Sequence, residues 1–347
     1  MTVSNHRKVT QATIAELAGV SQATVSLVLN GKADAASRIP EETRIRVLEV
    51  IQQTNYVADP SARRLAGVGN KILGVFTYEP AFPTEGLDFY TPLLTGIEAA
   101  SEQIGCDLLM FTSAPVIDGR RRIFHENNRL GLADGCLLLG LEMDGDELGR
   151  LVRDGYPFVA VGRREAAGVP YVGVDYVSGT VDLVRRALAL GHERFFYLHV
   201  DSRGESVLDR LAGFRSALAN TGAVSATRSS NGSQLEADWR AIQSFAPSVL
   251  FVESPSMAQS LYELASAVGV SIPDELSIVV LGEQSRQRDQ ATDFTRFSAP
   301  RTELGSRAVQ LLSRILAKDD SPTPEESRVL LSVTQIAGST LVEPATR

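Results

Sequence analysis

The sequence predicts two folded parts, a small all-α segment at the N-terminus and a larger two-lobed α/β domain with doubly wound parallel sheets. Helical patterns alone fill the first part, whereas short apolar strands alternate with helices beyond Val68. A chain of 347 residues is long for a single core, and its 44% apolar and 22% charged residues are typical of a globular protein. We therefore expect a small domain followed by a larger one.

The first predicted helix is short and has one apolar face. It runs roughly from Gln11 to Ala18, with Ile14, Leu17 and Ala18 on that face. The hydroxyl of Thr10 is well placed to cap its N-terminus.

The next residues are typical of a helix-turn-helix, which places a short second helix in the DNA major groove. Gly19 allows the sharp turn, and the Ser21 hydroxyl suits the cap of the second helix. At about 100° per residue this helix has two faces. Its inner face holds Thr24, Val25, Val28 and Leu29, and its outer face holds Gln22, Ala23, Ser26 and Leu27. We expect the outer face to contact a partner.

A third helix is predicted after residue 40. Glu41 and Glu42 place acidic groups at the positive end of the helix dipole, and an apolar pattern continues to Ile51. The pattern stops at Asn55.

A fourth, very short helix is predicted from Asp59 to Gly67. Asp59 suits a cap and Gly67 suits an exit. So short a helix is unstable alone and needs a partner to fold upon. The adjacent Arg63 and Arg64 suit phosphate, and Leu65 suits an apolar slot such as an opened base step.

Beyond this point the pattern predicts parallel sheets covered on both faces, because near-continuous apolar strands alternate with helices. The predicted strands are 72–77, 107–112, 135–139, 158–161, 195–199, 249–252 and 278–281. The predicted helices are 93–103, 181–190, 210–220, 257–268 and 303–316. So many units favour two lobes over one sheet.

These motifs resemble the lactose/galactose repressor (LacI/GalR) family. In the first part the resemblance is carried by Val9-Thr10, Ala15, Leu17-Ala18-Gly19-Val20-Ser21, Thr24-Val25-Ser26, Val28-Leu29-Asn30, Thr43-Arg44, Tyr56 and Ala62-Arg63-Arg64-Leu65. In the second part it is carried by Gly96-Ile97-Glu98-Ala99-Ala100, Leu190-Gly191-His192, Arg210-Leu211-Ala212-Gly213-Phe214, Ile272-Pro273-Asp274-Glu275-Leu276-Ser277 and Leu304-Gly305. The resemblance covers essentially the whole chain.

The resemblance implies a DNA-binding headpiece (1–58), a hinge helix (59–68) and a periplasmic-binding-protein-like domain (69–347). That domain would bind a small effector in a cleft between its lobes and form a homodimer. We expect lobe 1 to comprise about 69–192 and 298–325, and lobe 2 about 193–297 and 326–347. The chain would cross between the lobes near 192–193, 297–299 and 324–328.

The resemblance also implies that the protein is a transcriptional regulator, most often a repressor, that binds a pseudo-palindromic operator of double-stranded DNA. The positions expected to contact DNA are Thr10, Ser21, Gln22, Ala23, Thr24, Ser26, Leu27, Asn30, Ala62, Arg63 and Leu65. Where the family usually has arginine this chain has Leu27, which can touch a thymine methyl but cannot bind guanine.

Six positions match effector contacts of the family or their neighbours. They are Phe89, Tyr90, Arg163, Asp175, Arg210 and Glu283. A polyhydroxylated sugar or sugar-like metabolite needs forked donors, charged acceptors and a flat face to stack on.

Each of these positions also has a purely structural interpretation. Arg163 and Arg210 can equally be salt bridges between lobes, and Asp175 can equally cap the following helix. The aromatic pair Phe89 and Tyr90 can equally line the core.

The sequence departs from the family pattern around the expected pocket. Ser254-Pro255 replaces an Asn-Asp pair, Tyr176 follows Asp175 in place of asparagine, and Gly282-Glu283 stands where two aspartates are usual. A modified sugar, another metabolite and an empty site all remain open.

The charge is divided unevenly along the chain. Residues 1–70 hold eight Lys/Arg and six Asp/Glu, a net charge of +2. Since the whole chain has a net charge of −8, the remainder carries −10. The acidic part is expected to repel phosphate and to leave DNA contact to the headpiece. A headpiece of +2 binds weakly alone, which favours two copies in a dimer.

Two other protein classes fit less well. A periplasmic solute receptor would need an export signal, and the polar residues 1–8 lack its apolar region. An enzyme is disfavoured because the chain has no Gly-x-Ser-x-Gly, His-Glu-x-x-His or phosphate-loop motif. Cys106 and Cys136 are expected to be buried free thiols. We therefore expect a cytoplasmic protein without a cofactor, a metal or a membrane segment.

Overall fold

The computed structural model describes residues 9–30, 39–56, 69–80, 90–117, 119–283, 292–317 and 320–345. The chain divides into two compact units, Met1–Lys71 and Ile72–Arg347. The predicted hinge helix at 59–68 lies outside the described residues.

The first unit contains three helices around a small apolar core. These are α1 (Gln11–Ala18), α2 (Gln22–Asn30) and α3 (Glu41–Thr54). Ile14, Val25 and Val47, one from each helix, are fully buried, and Ala15 and Ala18 complete the core. The predicted inward position of Leu17 is wrong, since its side chain is 59% exposed. The buried stripe of α1 is centred between residues 14, 15 and 18, and Leu17 lies well to one side of it.

The second unit begins with alternating strands and helices that build one sheet. They are β1 (Ile72–Thr77), α4 (Thr91–Gln103), β2 (Asp107–Phe111), β3 (Val116–Ile117), β4 (Arg120–Arg121), β5 (Gly135–Leu139), α5 (Gly145–Arg153), β6 (Phe158–Val161) and β7 (Tyr171–Val174). A 3-10 turn at Leu130–Leu132 precedes β5. β3 and β4 form a separate small hairpin.

The remaining elements build a second sheet and return to the first. They are α6 (Tyr176–Ala189), β8 (Arg194–Val200), α7 (Glu205–Leu218), β9 (Val224–Ser230), α8 (Leu235–Phe245), β10 (Val249–Val252), α9 (Pro255–Ala267), β11 (Ser277–Val280), β12 (Thr295–Ser298), α10 (Arg301–Leu316), β13 (Arg328–Leu331) and β14 (Thr334–Ile336).

Each lobe contains one six-stranded sheet. Apolar clusters cover both faces of each sheet, as predicted. Lobe 1 has the strand order β13-β7-β6-β5-β1-β2, and all its pairs are parallel. Lobe 2 has the order β14-β12-β11-β10-β8-β9, in which only β14 is antiparallel. Separate clusters cover the two faces of each sheet. The doubly wound architecture is confirmed.

Two of the three predicted crossings between lobes are wrong. Helix α6 belongs to lobe 2, because Leu183 and Val184 pack with Phe195 of β8, so the first crossing lies between β7 and α6 and not at 192–193. Strand β13 pairs with β7 of lobe 1, so the third crossing lies between β13 and β14 and not at 324–328. The second falls between β12 and α10, next to the predicted 297–299. The lobe boundaries expected at 192 and 325 shift accordingly.

The two cysteines are not bonded to each other, and the described helices are short. Cys136 is buried as predicted, whereas Cys106 is only partly buried, and both are free. In the described residues no single helix is long and apolar enough to cross a membrane, and only α1 and α2 together, bent by 106°, reach that length and composition.

Candidate functional site

The relation between α1 and α2 is that of a helix-turn-helix. The two helix axes are bent by 106°, within the roughly 90–120° usual for this motif. Gly19 ends α1 in the left-handed conformation with φ 65°, and the Val20 amide donates to the Ala15 carbonyl at 2.9 Å. Because a left-handed residue is required here, glycine makes this turn possible.

Both predicted helix caps are present. The Thr10 hydroxyl accepts from the Thr13 amide at 3.3 Å, and the Thr13 hydroxyl accepts in return from the Thr10 amide. The Ser21 hydroxyl accepts from the Thr24 amide at 3.1 Å. Thr10 and Ser21 therefore fix the helix starts, and their contact with DNA remains a prediction.

Helix α2 presents the predicted outer face to solvent. Gln22, Ala23 and Leu27 are exposed, Leu27 by 39%, while Val25 is fully buried. Ser26 is half-buried, at the edge of the exposed face.

Thr24, another predicted DNA position, does not contribute to this exposed face. Thr24 is half-buried, and Asn30 is the last residue of α2. Three further DNA positions and one effector position lie outside the described residues: Ala62, Arg63, Leu65 and Phe89.

In the larger unit, the predicted site residue Arg163 forms an ion pair with Asp209 that connects the two lobes. It follows β6 in lobe 1 and contacts Asp209 on α7 in lobe 2. Its Nε donates to Oδ2 at 2.7 Å, and its Nη2 donates to Oδ1 at 2.6 Å. The Arg163 and Asp209 side chains are 22% and 9% exposed. Hydrogen bonding to Asp209 raises the pKa of Arg163. The structural interpretation of Arg163 is therefore confirmed.

The neighbouring Arg164 makes a second pair across the lobes. Its Nη1 donates to the Glu205 carboxylate at 2.6 Å, and its Nη2 donates to the Gly140 carbonyl of lobe 1 at 2.7 Å. Glu205 and Asp209 lie four residues apart and so share one face of α7. Two consecutive arginines of lobe 1 thus pair with two carboxylates on one face of α7.

Further contacts next to these pairs also connect the lobes. Glu142 follows β5 and accepts from the Arg203 amide at 2.9 Å and from the Ser202 hydroxyl. A Cβ at Gly204 would lie 2.6 Å from the Leu141 carbonyl oxygen, so the start of α7 touches lobe 1 directly.

Arg210 is bound within lobe 2 and is not a salt bridge between lobes. Its Nε donates to the Leu281 carbonyl at 3.0 Å, and its Nη1 donates to Glu253 at 3.1 Å and to the Ser206 carbonyl at 2.8 Å. Its guanidinium carbon lies 3.6 Å from the centre of the Tyr176 ring. Most of its donors are therefore occupied by the protein itself.

The remaining predicted effector residues have structural partners. Asp175 caps α6 by accepting from the Ser178 amide at 2.9 Å. Tyr90 is buried and donates to Glu79 at 2.8 Å, and its pKa is raised by burial and by the Glu79 charge. The Glu283 carboxylate accepts from the Ser298 hydroxyl at 2.8 Å.

Open space lies beside Glu283. A pocket of about 450 Å³ is lined by Pro92 of lobe 1, by Glu283 of lobe 2, by residues 298–300 of the second crossing and by the first turn of α10. In the described residues no group of three or more His, Cys, Asp or Glu side chains is placed to hold a metal ion.

Asp209, Glu205 and Glu253 were missed by the sequence analysis. The arginine pair directly after a buried strand, together with two acids four apart on a later helix, was the available signal for the first two. Nothing in the local sequence marks Glu253 as the partner of Arg210.

Comparison with known families agrees with both units. Residues 10–59 match the model for bacterial regulatory proteins of the lacI family, and residues 184–341 match a periplasmic binding protein-like domain. The chain combines a LacI-family regulatory domain with a periplasmic binding protein-like domain. Its structure, a helix-turn-helix followed by a two-lobed α/β domain, has the organisation that the two matches describe, and it is a transcriptional regulator.

Curated relatives span nearly the whole chain. The HTH-type transcriptional regulator CelR of Thermobifida fusca is 27% identical over 339 residues, 92% of this chain and 96% of that protein. Catabolite control protein A of Priestia megaterium is 24% identical over 318 residues, 88% of this chain and 92% of that protein. A sucrose operon repressor of Klebsiella pneumoniae is 30% identical over 217 residues, 62% of this chain and 63% of that protein.

Solved structures share the fold. A lac repressor dimer bound to operator and an anti-inducer has a TM-score of 0.74 at 18% identity, covering 97% of this chain and 100% of that chain. A CelR–cellobiose complex has a TM-score of 0.64 at 23% identity, covering 96% and 99%.

Proposed function

We propose that this protein is a repressor that binds a pseudo-palindromic operator as a homodimer and is controlled by a small sugar-like effector. It would act in the cytoplasm, where the DNA is, and would catalyse no reaction. The observation that carries the proposal is the exposed face of α2, held at a helix-turn-helix angle on a packed three-helix core.

The residues of this face suit the reading of bases. The amide of Gln22 can donate and accept on the edge of an adenine, and Leu27 offers an apolar contact for a thymine methyl. Ala23 allows close approach of the helix. The hydroxyls of Thr24 and Ser26 and the basic residues near the N-terminus suit phosphate.

A dimer follows from the weak charge of the headpiece. One headpiece of +2 makes few phosphate contacts, whereas two linked copies bind with an effective local concentration. The lac repressor was solved as a dimer on operator, which supports two copies here as well. We infer that paired Leu65 side chains from two hinge helices wedge a central base step.

The effector is proposed to lie between the lobes, where ligands of such sheets bind at the carboxyl ends of the strands. The CelR structure with cellobiose supports a carbohydrate or a related metabolite. Since Arg163 and Arg210 are already engaged, the carboxylates of Glu283 and Asp175 remain as acceptors for such a ligand. Effector binding would change the lobe angle and so favour or disfavour the hinge helix, with a coupling of roughly 1–3 kcal/mol.

The test is operator binding by a matched pair of variants. Duplexes are first selected from genomic DNA with the full-length chain and then titrated in a gel-shift assay. Gln22→Ala is expected to weaken binding to the selected duplex about 10- to 100-fold, because a bidentate base contact is lost. Gln53→Ala removes a similar exposed amide from α3 and is expected to leave binding unchanged. Equal effects of the two variants would contradict the proposal.

A further inference from the structure

Charged groups of the protein itself connect the two lobes. Helix α7 directs Glu205 and Asp209 from lobe 2 at Arg164 and Arg163 of lobe 1. Both pairs are short, and Asp209 binds Arg163 through two oxygens, the strongest geometry available to these groups.

In the Arg164–Glu205 pair, the arginine is also held by bonds within its own lobe. Arg164 is only 3% exposed in its side chain and donates to the carbonyls of Gly140 and Val161 in its own lobe. On the other side, Glu205 and Asp209 are fixed four residues apart on a 14-residue helix. Little side-chain freedom is therefore lost when the pairs form, unlike at flexible surface pairs.

The contact is continuous and not limited to two side chains. Glu142 of lobe 1 accepts from the Arg203 amide, and Gly204 lies against the Leu141 carbonyl. A row from residue 203 to residue 209 of lobe 2 thus rests on lobe 1. Two conformations of a protein commonly differ by only a few kcal/mol, so such a row of contacts can determine whether the closed or the open arrangement of the lobes is favoured.

We propose that Arg163–Asp209 and Arg164–Glu205 form a latch that holds the two lobes together in the ligand-free protein. The latch is made by the protein, so closure of the cleft does not require a bound effector. It rests on the proposed function only in that the lobe angle is taken to control DNA binding. An effector then acts on lobes that are already closed, and a ligand that separates them must break both pairs.

The test measures lobe separation directly in the ligand-free, full-length chain. Spin labels are attached to cysteines replacing Asp146 and Glu236, exposed residues in the first turns of α5 and α8, one in each lobe. The partly buried Cys106 is changed to serine, and distances are measured by pulsed electron resonance. We expect one narrow distance distribution without any ligand.

The double variant Glu205→Gln with Asp209→Asn keeps side-chain size and removes both charges. We expect the mean distance between the two spin labels in this variant to differ from that in the starting protein by more than the width of the starting protein's distance distribution. Asp154→Asn is the control, because it removes one carboxylate from the exposed Arg150–Asp154 pair within lobe 1, and it is expected to change nothing. Asp209→Asn alone keeps the Arg164 pair and serves where the double variant does not fold.

Identical distances in the folded variant and in the starting protein would overturn the latch. A broad distribution in the starting protein would overturn it as well. The measurement uses no DNA, so either result leaves the proposed operator binding standing. Failure of the unmodified chain to select a duplex would instead contradict the proposed function and leave the distance result unaffected.

Discussion

The guanidinium of Arg210 lies over the ring of Tyr176, 3.6 Å from its centre, at the first crossing between the lobes. The Nη1 of the same guanidinium donates to the Glu253 carboxylate at 3.1 Å, and both charged side chains are buried. Glu253 also accepts from the Val200 amide at 3.1 Å and from the Tyr197 hydroxyl. One buried ion pair thus links β8, β10 and α7 to the crossing.

Removing one member of this pair is expected to destabilise lobe 2. Glu253→Ala leaves the Arg210 charge buried without its carboxylate, so we expect the free energy of unfolding to fall by about 3–5 kcal/mol. Urea unfolding followed by circular dichroism measures the change. Glu98→Ala, on the exposed side of α4, is the control and is expected to cost less than about 0.5 kcal/mol. If Glu253→Ala also lowered the free energy of unfolding by less than about 0.5 kcal/mol, the Arg210–Glu253 pair would not stabilise the fold.

Base preference is expected to change at one operator position when Leu27 is replaced by arginine. An arginine on the exposed face of α2 can bind guanine through two hydrogen bonds, worth about 1–3 kcal/mol of discrimination. Selection of random duplexes by the Leu27→Arg variant should therefore enrich guanine where the starting protein prefers another base. Leu48→Arg adds the same charge to an exposed position of α3 and should leave the selected sequence unchanged. An unchanged preference in both variants would remove Leu27 from the set of base readers.

The cap of α2 is expected to set its local stability. Ser21→Ala removes the acceptor of the Thr24 amide and should cost about 1 kcal/mol. Amide hydrogen exchange in α2 should then be about fivefold faster, since 1 kcal/mol corresponds to that factor. Ser21→Thr retains the hydroxyl and should exchange nearly as slowly as the starting protein. Exchange at an unchanged rate in the alanine variant would show that the cap does not stabilise α2.

The free energy of unfolding is expected to decrease when the pH falls below the ordinary pKa of histidine, because of His192. Burial lowers the pKa of His192, although the bond between Nε2 and the Val342 carbonyl at 2.8 Å opposes this shift. The folded state therefore favours neutral His192, whereas the unfolded chain gains a proton once the pH drops below about 6.5. The stabilisation is complete above that pH and is lost as the pH falls further.

Urea unfolding at pH 7.5 and pH 5.0 measures this dependence. The starting protein should lose more stability between the two values than a His192→Gln variant, which cannot be protonated. His125→Gln, at a half-buried histidine of lobe 1, serves as the control. Equal losses in the starting protein and in the His192 variant would exclude His192 as the cause.

Much of the fold was predictable because the central strands are fully buried. The predicted bounds of β1, β5, β6 and β10 agree with the structure, since a strand covered on both faces is an uninterrupted apolar run. The edge strand β9 was not predicted, because polar residues interrupt its apolar run, and β13 was not predicted although three of its four residues are apolar. The missed β13 led directly to the wrong third crossing.

The candidate sites were predictable only where the signal is local. The exposed face of α2 follows from helical periodicity within nine residues, and the caps at Thr10 and Ser21 follow from residue type. The partners of Arg163 and Arg210 are 46 and 43 residues distant in the chain. Such pairs depend on how two lobes or two strands meet, which no local pattern records.

The most direct test of the account is selection of duplex DNA by the purified full-length chain at moderate ionic strength. We predict enrichment of two related half-sites in inverted orientation, bound well above random competitor, with the preference reduced by Gln22→Ala. Binding to every duplex with equal affinity, with or without candidate sugars, would contradict the claim that α2 reads DNA sequence.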